Sequence, residues 1–161
     1  MCAYFETRYT FDAGRVRVWR AIAGYLQRFI NPTDTVFEMA AGYCDFINQI
    51  RAGKKYAVDI APSAATHAGA DVVFHVSSCE SIPMVADRSV DVVFASNLLE
   101  HLDDAALVRV VAEARRILKN GGIFIVLQPN YRYCAKEYFD DFTHKKVFSH
   151  ISLVLGMVPV L

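Results

Sequence analysis

An acid interrupts an apolar run at Glu38, in T-V-F-E-M-A-A-G-Y-C-D-F (residues 35–46), and the small residues Ala40, Ala41 and Gly42 follow closely. Backbone with little or no Cβ lets amide groups and the start of a following helix come close to a ligand. A phosphate gains nothing from a carboxylate aimed into such a turn, whereas an ammonium or sulfonium group is attracted to it. Asp59 closes a second apolar run, K-Y-A-V-D-I, seventeen residues beyond Gly42. Its two acceptor oxygens match the vicinal hydroxyls of a ribose. An acid ahead of Pro62 also suits a helix N-cap or a loop, so both roles stand. His101, with an ordinary pKa of about 6.5, can take a proton from a hydroxyl or an amine, or else pack on the sheet and hydrogen-bond a carbonyl. Gln128, Asn130, Tyr131 and His144 fall in an aperiodic stretch rich in Tyr, Phe, Asp and His. Loops of that kind carry ligand contacts. Asp140, Asp141 and His144 are of metal-binding types, but without further partners they are read as loop hydrogen bonding, and no metal is expected.

These groups require elements that bring strand ends together. Apolar residues at helical spacing (Trp19, Ile22, Ala23, Leu26, Phe29, Ile30) predict a helix over 12–30, capped at Asp12 and stopped by Asn31-Pro32, with Trp19 in the core. Arg8 and Tyr9 precede it, either as a solvated tail or as a segment folding over a cofactor. After the glycine turn a helix is expected over 45–52, then strands over 55–60 and 72–76 around a short alanine-rich helix at 61–69. A strand over 89–96 leads to a helix over 103–120, whose buried stripe is Leu107, Val110, Val111, Ala114, Ile117 and Leu118; Asn120-Gly121-Gly122 ends it and a fifth strand covers 123–127. Asp91 falls at the strand start, away from the ligand end. Arg109 with Glu113, and Glu113 with Arg116, read as exposed pairs of about 0.2–0.5 kcal/mol without functional weight. Alternation of strands and helices implies an α/β fold with a mostly parallel sheet, as one domain over 1–161: a binding core at 35–128, then a substrate loop and short C-terminal segment at 129–161.

The chain has 161 residues, 54% hydrophobic and 21% charged, with seventeen basic and seventeen acidic side chains. Such a composition folds compactly and provides no overall field to hold a nucleic acid. No run reaches the length of a membrane span or a signal core, and Cys2, Cys44, Cys79 and Cys134 form no disulfide-like framework, so a cytoplasmic setting is expected.

Three stretches carry a family resemblance: E-M-A-A-G-Y-C-D-F, the block N-L-L-E-H-L at 97–102, and R-R-I-L-K-N-G-G-I-F-I-V at 115–126. They resemble, in order, the glycine motif, the fourth-strand Leu-Glu-His-Leu motif and the post-helix turn of class I S-adenosylmethionine-dependent methyltransferases. Ala40 and Cys44 stand where that family commonly has glycines, and Ser78 where it has the acid that meets adenine. The resemblance implies a Rossmann-like sheet and S-adenosylmethionine as cofactor. Glu38 and Gly42 would hold its amino acid end, Asp59 its ribose, Ser78 and Cys79 its adenine, and Asn97 the strand-end wall; Ala40 and Ile60 complete the cofactor-binding set. His101 is the catalytic candidate, and Gln128, Asn130, Tyr131 and His144 would bind the acceptor. Looser similarity to bacterial sugar and glycolipid methyltransferases implies methyl transfer to a hydroxyl or amine of a small molecule or saccharide. Two rivals remain: a nicotinamide-dependent dehydrogenase, whose G-x-G-x-x-G the turn lacks, and an inactive methyltransferase-like binding module. Residues 151–161 depart from the family, supplying one short strand or an apolar tail, and either a homodimer through the under-covered C-terminal edge or a truncated product is expected.

Overall fold

The computed structural model describes residues 13–157; the expected cap at Asp12 and the Arg8–Tyr9 segment lie outside them. Helix α1 (Ala13–Leu26) passes into a 3-10 turn, Gln27–Phe29, ahead of Asn31-Pro32. Five strands follow: β1 (Thr35–Met39), β2 (Lys54–Asp59), β3 (Val72–Val76), β4 (Val90–Ser96) and β5 (Leu118–Leu127). They form one all-parallel sheet in the order β3-β2-β1-β4-β5. The chain winds outward from β1 to β3 and then returns to the other side of β1 as β4. Ligands of open α/β sheets bind beyond the carboxyl ends of the strands at such a reversal.

Strand residues alternate between two apolar layers, as the pleat requires. Phe37, Met39, Val93 and Ala95 pack with Val110, Ala114 and Ile117 of α2 (Asp104–Ile117). Val36, Val92 and Phe94 pack with Trp19 and Ala23 of α1 and with Phe46, Ile47 and Ile50. Phe94 stacks on Phe46 at 3.8 Å between ring centroids and meets the edge of Trp19 at 6.3 Å, so Trp19 is a core residue, as expected. At the amino end of the sheet Asp91 accepts bonds from the Thr35 amide and the Lys119 ammonium, remote from the carboxyl end. No helix among the described residues is long and apolar enough to cross a membrane.

Several elements differ from expectation for local reasons. The helix expected over 45–52 is a series of turns. The Ile47 amide donates to the Glu38 carboxylate at 3.0 Å, and Cys44 takes a positive φ of 55°, so a regular backbone ladder does not form there. Helix α2 is capped by Asp103, which accepts from the Ala106 amide at 2.9 Å, but it ends at Ile117 because Leu118 is already extended. Pairing of β5 with β4 jumps from Val90↔Leu118 to Val92↔Ile123, so Lys119 to Gly122 loop out between the two registers. Residues 128–150, expected as a loop, contain a helical turn, α3 (Tyr131–Cys134), and a 3-10 turn at Tyr138–Asp140. The strand or tail expected after Ile151 is helix α4 (His150–Met157). Ser149 starts it: its hydroxyl accepts from the Ser152 amide at 3.1 Å while Ser152 Oγ accepts from the Ser149 amide at 2.8 Å, a reciprocal cap.

Candidate functional site at the carboxyl ends of the strands

The turn after β1 alternates left-handed residues: Ala40, Gly42 and Cys44 have φ of 51°, 53° and 55°. Only glycine adopts this conformation freely, and each other residue pays about 1–2 kcal/mol. Glu38 lies beneath the turn, 4% exposed, and burial raises its pKa well above the ordinary carboxylate value despite its bond from Ile47. Asp59, at the end of β2, joins the neighbouring turns: Oδ2 accepts from the Gly42 amide at 2.9 Å and Oδ1 from the Ala61 amide at 2.8 Å. Beside it Ile60 is 64% exposed, a large apolar side chain at the rim.

The segment after β3 comes close to the same turn. Cys79 is buried and its thiol bonds the backbone at Ala40; burial pushes its pKa up to about 12, so it is an inert thiol. Ser78 Oγ accepts from the Glu80 amide at 3.2 Å, a local turn. This segment is held from below by α2. Glu113 accepts from the Ile82 amide at 2.8 Å, Arg116 donates to the carbonyls of Ile82 and Val85 at 2.9 Å, and Arg109 pairs with Glu80 at 2.7 Å. The expected Arg109–Glu113 surface pair is therefore replaced by a tie to Glu80, and the α2 charges fix a rim segment.

Beyond β4 and β5 the polar groups are less settled. Asn97, exposed and left-handed with φ of 47°, donates its amide to the Leu127 carbonyl at 2.9 Å. The 3-10 turn Leu99–His101 follows, and its Glu100 carbonyl accepts from the amides of Lys145 and Lys146 at 2.8 and 3.1 Å. Those bonds bring His144 to His101, with ring centroids 4.8 Å apart. Burial lowers the His101 pKa, with the neighbouring His144 acting in the same direction. Asp141 accepts from the amide and hydroxyl of Thr143, the loop bonding expected of it. Asn130 and Tyr131 are placed differently from the histidines. Asn130 caps α3 through the Arg132 amide, and Tyr131 meets the edges of Tyr138 and Phe139. Among the described residues, four buried side-chain oxygens have no hydrogen-bond partner: Ser96 Oγ, both carboxylate oxygens of Glu100, and Gln128 Oε1. All belong to residues at or just past the carboxyl ends of β4 and β5, and buried polar atoms left in this way call for an explanation. Ser96 and the side chain of Glu100 escaped sequence reasoning; the one signal for Glu100 was a charge inside the apolar run Leu98-Leu99-Glu100. A cavity of about 990 Å³ lies at the opposite end of the sheet, lined by Arg88, Arg116, Lys119 and Phe124 among others.

Sheet order, reversal point and glycine-type turn together define a Rossmann-like domain of the class I methyltransferase architecture. The chain belongs to the methyltransferase-domain family, whose sequence pattern matches residues 37–126, more than half of it. A stretch of 58 residues is 40% identical to a dimethylglycine N-methyltransferase of Parasynechococcus marenigrum (strain WH8102), covering 36% of this chain and 20% of that relative. Among solved structures, a SAM-dependent methyltransferase from Archaeoglobus fulgidus superimposes with a TM-score of 0.73 at 19% identity, over 88% of this chain and 68% of that one. A geranyl diphosphate C-methyltransferase from Streptomyces coelicolor A3(2), in complex with S-adenosyl-L-homocysteine, gives a TM-score of 0.71 at 17% identity, over 89% and 60% of the two chains. At these identities the structural likeness is one of fold.

Proposed function

We propose that the chain binds S-adenosylmethionine beyond the carboxyl ends of β1, β2 and β3 and transfers its methyl group to a hydroxyl or amine of a small acceptor, saccharides included, held beyond β4 and β5. The observation that carries this reading is the left-handed triplet Ala40, Gly42 and Cys44: two of its members are strained, and they lie where the sheet reverses. Backbone strain of this kind is retained where a ligand must approach the main chain. Glu38, buried beneath the turn, shapes it from within by accepting from the Ile47 amide, leaving the main chain around Gly42 to the amino acid end of the cofactor. Asp59 oxygens each keep a second lone pair for the ribose hydroxyls while holding Gly42 and Ala61. Exposed Ile60 packs on the adenine face, Ser78 and Cys79 meet its edge, and Asn97 walls the site toward the acceptor. S-adenosylmethionine is an expectation of the family, and the small-residue turn with an acid beneath it fits a cationic amino acid end better than a pyrophosphate.

When bound, the cofactor supplies a methyl group already activated by its sulfonium. The acceptor lone pair forms the new bond to carbon, the sulfur keeps the pair of the bond that breaks, and the acceptor loses a proton. The protein's part is alignment and exclusion of water. His101, with its pKa lowered by burial, is neutral near pH 7 and able to take that proton. Gln128 and His144 border the acceptor side, and Asn130 and Tyr131 support the segment that carries them. Free Cys44, Cys79 and Cys134 suit a reducing, cytoplasmic setting. The outer edge of β5 is unpaired among the described residues, and pairing with a second copy would cover it; sedimentation velocity should then give twice the chain mass, and a monomer at all concentrations would exclude the dimer. The activity is tested with methyl-labelled S-adenosylmethionine against a panel of amines, alcohols and saccharides. Label transfer to one class supports the reading; cofactor binding without any transfer would leave a binding module in its place.

A further inference from the structure

The segment at 141–146 brings together three side chains of metal-binding type. One carboxylate oxygen of Glu100 and one ring nitrogen each of His101 and His144 lie within 4.8 Å of one another. Glu100 is fully buried and neither of its oxygens has a hydrogen-bond partner. A carboxylate removed from water in this way is costly unless a cation or metal compensates it.

The hydrogen bonds behind the two imidazoles set which nitrogen each presents. Thr143 Oγ1 gives its one proton to Asp141 Oδ1 at 2.6 Å, so toward His101 Nδ1, at 2.9 Å, it accepts. His144 Nδ1 faces the Tyr138 carbonyl at 2.5 Å, which can only accept. The His144 ring thus carries hydrogen on Nδ1 and in the neutral form has its lone pair on Nε2, while His101 is held by both the hydroxyl and the main chain of Thr143. Imidazoles held by a carbonyl or a carboxylate-linked hydroxyl on the far nitrogen are arranged as metal-ligating histidines are.

We propose that Glu100, His101 and His144 form a site for one divalent transition cation of the zinc type. Two neutral nitrogens and one carboxylate oxygen are the donor set such ions take when a coordination position is kept for another ligand. Ligand bonds of about 2.0–2.2 Å place donor atoms roughly 3–3.5 Å apart, so the widest separation in the cluster closes by up to about 1.5 Å on binding. His144, held by the Tyr138 carbonyl through Nδ1 and by the Asp141 carbonyl through its amide, lies on the segment whose Lys145 and Lys146 amides bond the Glu100 carbonyl. The site adjoins the end of β4, on the acceptor side. An acceptor oxygen in the remaining position would lose its proton to water more readily, with His101 acting as a ligand in place of a proton acceptor. That last role rests on the methyl-transfer reading; metal binding itself does not.

The test is a titration of the chelator-treated chain with Zn2+ alone by calorimetry and with Co2+ alone by visible absorption, followed by S-adenosylhomocysteine on the same samples. One Zn2+ per chain at micromolar concentration is expected, with Co2+ bands of four- or five-coordinate geometry. His144→Ala and Glu100→Gln should each abolish both, and Thr143→Ala should weaken Zn2+ binding about 10- to 100-fold by releasing His101. No binding at millimolar metal, or binding that survives His144→Ala, overturns the site; a buried carboxyl sharing its proton with the imidazoles would then account for the cluster. Because His144 is half-buried on a surface segment, that variant decides the matter even where Glu100→Gln does not fold. Retained binding of S-adenosylhomocysteine in a chain that binds no metal would reject the site and leave the cofactor reading standing.

Discussion

Ala40 and Cys44 hold a backbone conformation that suits glycine, and Ala40 has only a methyl group to show for the cost. Ala40→Gly should therefore stabilise the chain: relief of about 1–2 kcal/mol of left-handed strain exceeds the extra unfolded-state freedom of glycine, leaving a gain of about 0.5–1 kcal/mol in urea unfolding. A loss of stability would show that the Ala40 side chain contributes packing the strain argument omits. Residue identity made this turn legible, because small residues after a strand-end acid have few other uses. What each carboxylate does was less legible. Glu38 and Asp59 both spend acceptor capacity on backbone amides, and that depends on turn geometry that no spacing encodes. The buried side chain of Glu100 was hidden for a related reason: its exposure is decided by a segment more than forty residues further along, which covers it through the amides of Lys145 and Lys146.

Helix α2 does more than cover the sheet. Its apolar stripe was readable from periodicity, and Val110, Val111, Ala114 and Ile117 are buried as that pattern requires. The expected Glu113–Arg116 pair forms at 2.8 Å, but Arg109 turns to Glu80, and both members of the pair also reach the loop beside the helix, since helical spacing reveals neighbours on one helix and not the loop packed beside it. Glu113 and Arg116 hold both the amide and the carbonyl of Ile82. Glu113→Ala should cost about 1–2 kcal/mol in stability, through the lost bond to the Ile82 amide and the lost partner of Arg116. It should also speed hydrogen exchange at Ile82 and weaken cofactor binding through the Ser78–Cys79 rim. Unchanged exchange at Ile82 would show that the loop is held by other contacts. The segment at 42–50 marks the opposite limit: helical spacing of Phe46, Ile47 and Ile50 predicted a regular helix, but the same apolar face is buried by a run of turns once Glu38 captures the Ile47 amide.

The sheet as a whole follows from its strands. Near-continuous apolar runs separated by covering elements leave a parallel, doubly covered sheet as the consistent solution, with the strands in the order β3-β2-β1-β4-β5. That order puts the ends of β1 and β4 side by side, which brings the cofactor turn, the Asp59 acid and the histidines to one rim. The central claim is that this rim binds S-adenosylmethionine, and exposed Ile60 tests it with least disturbance to the fold. S-adenosylhomocysteine is titrated by calorimetry into the wild type and into Ile60→Asp. The account predicts micromolar binding by the wild type and binding at least about tenfold weaker in the variant, since covering part of an isoleucine side chain is worth about 1.5 kcal/mol. Absence of binding at millimolar ligand, or equal affinity in the two proteins, would contradict it.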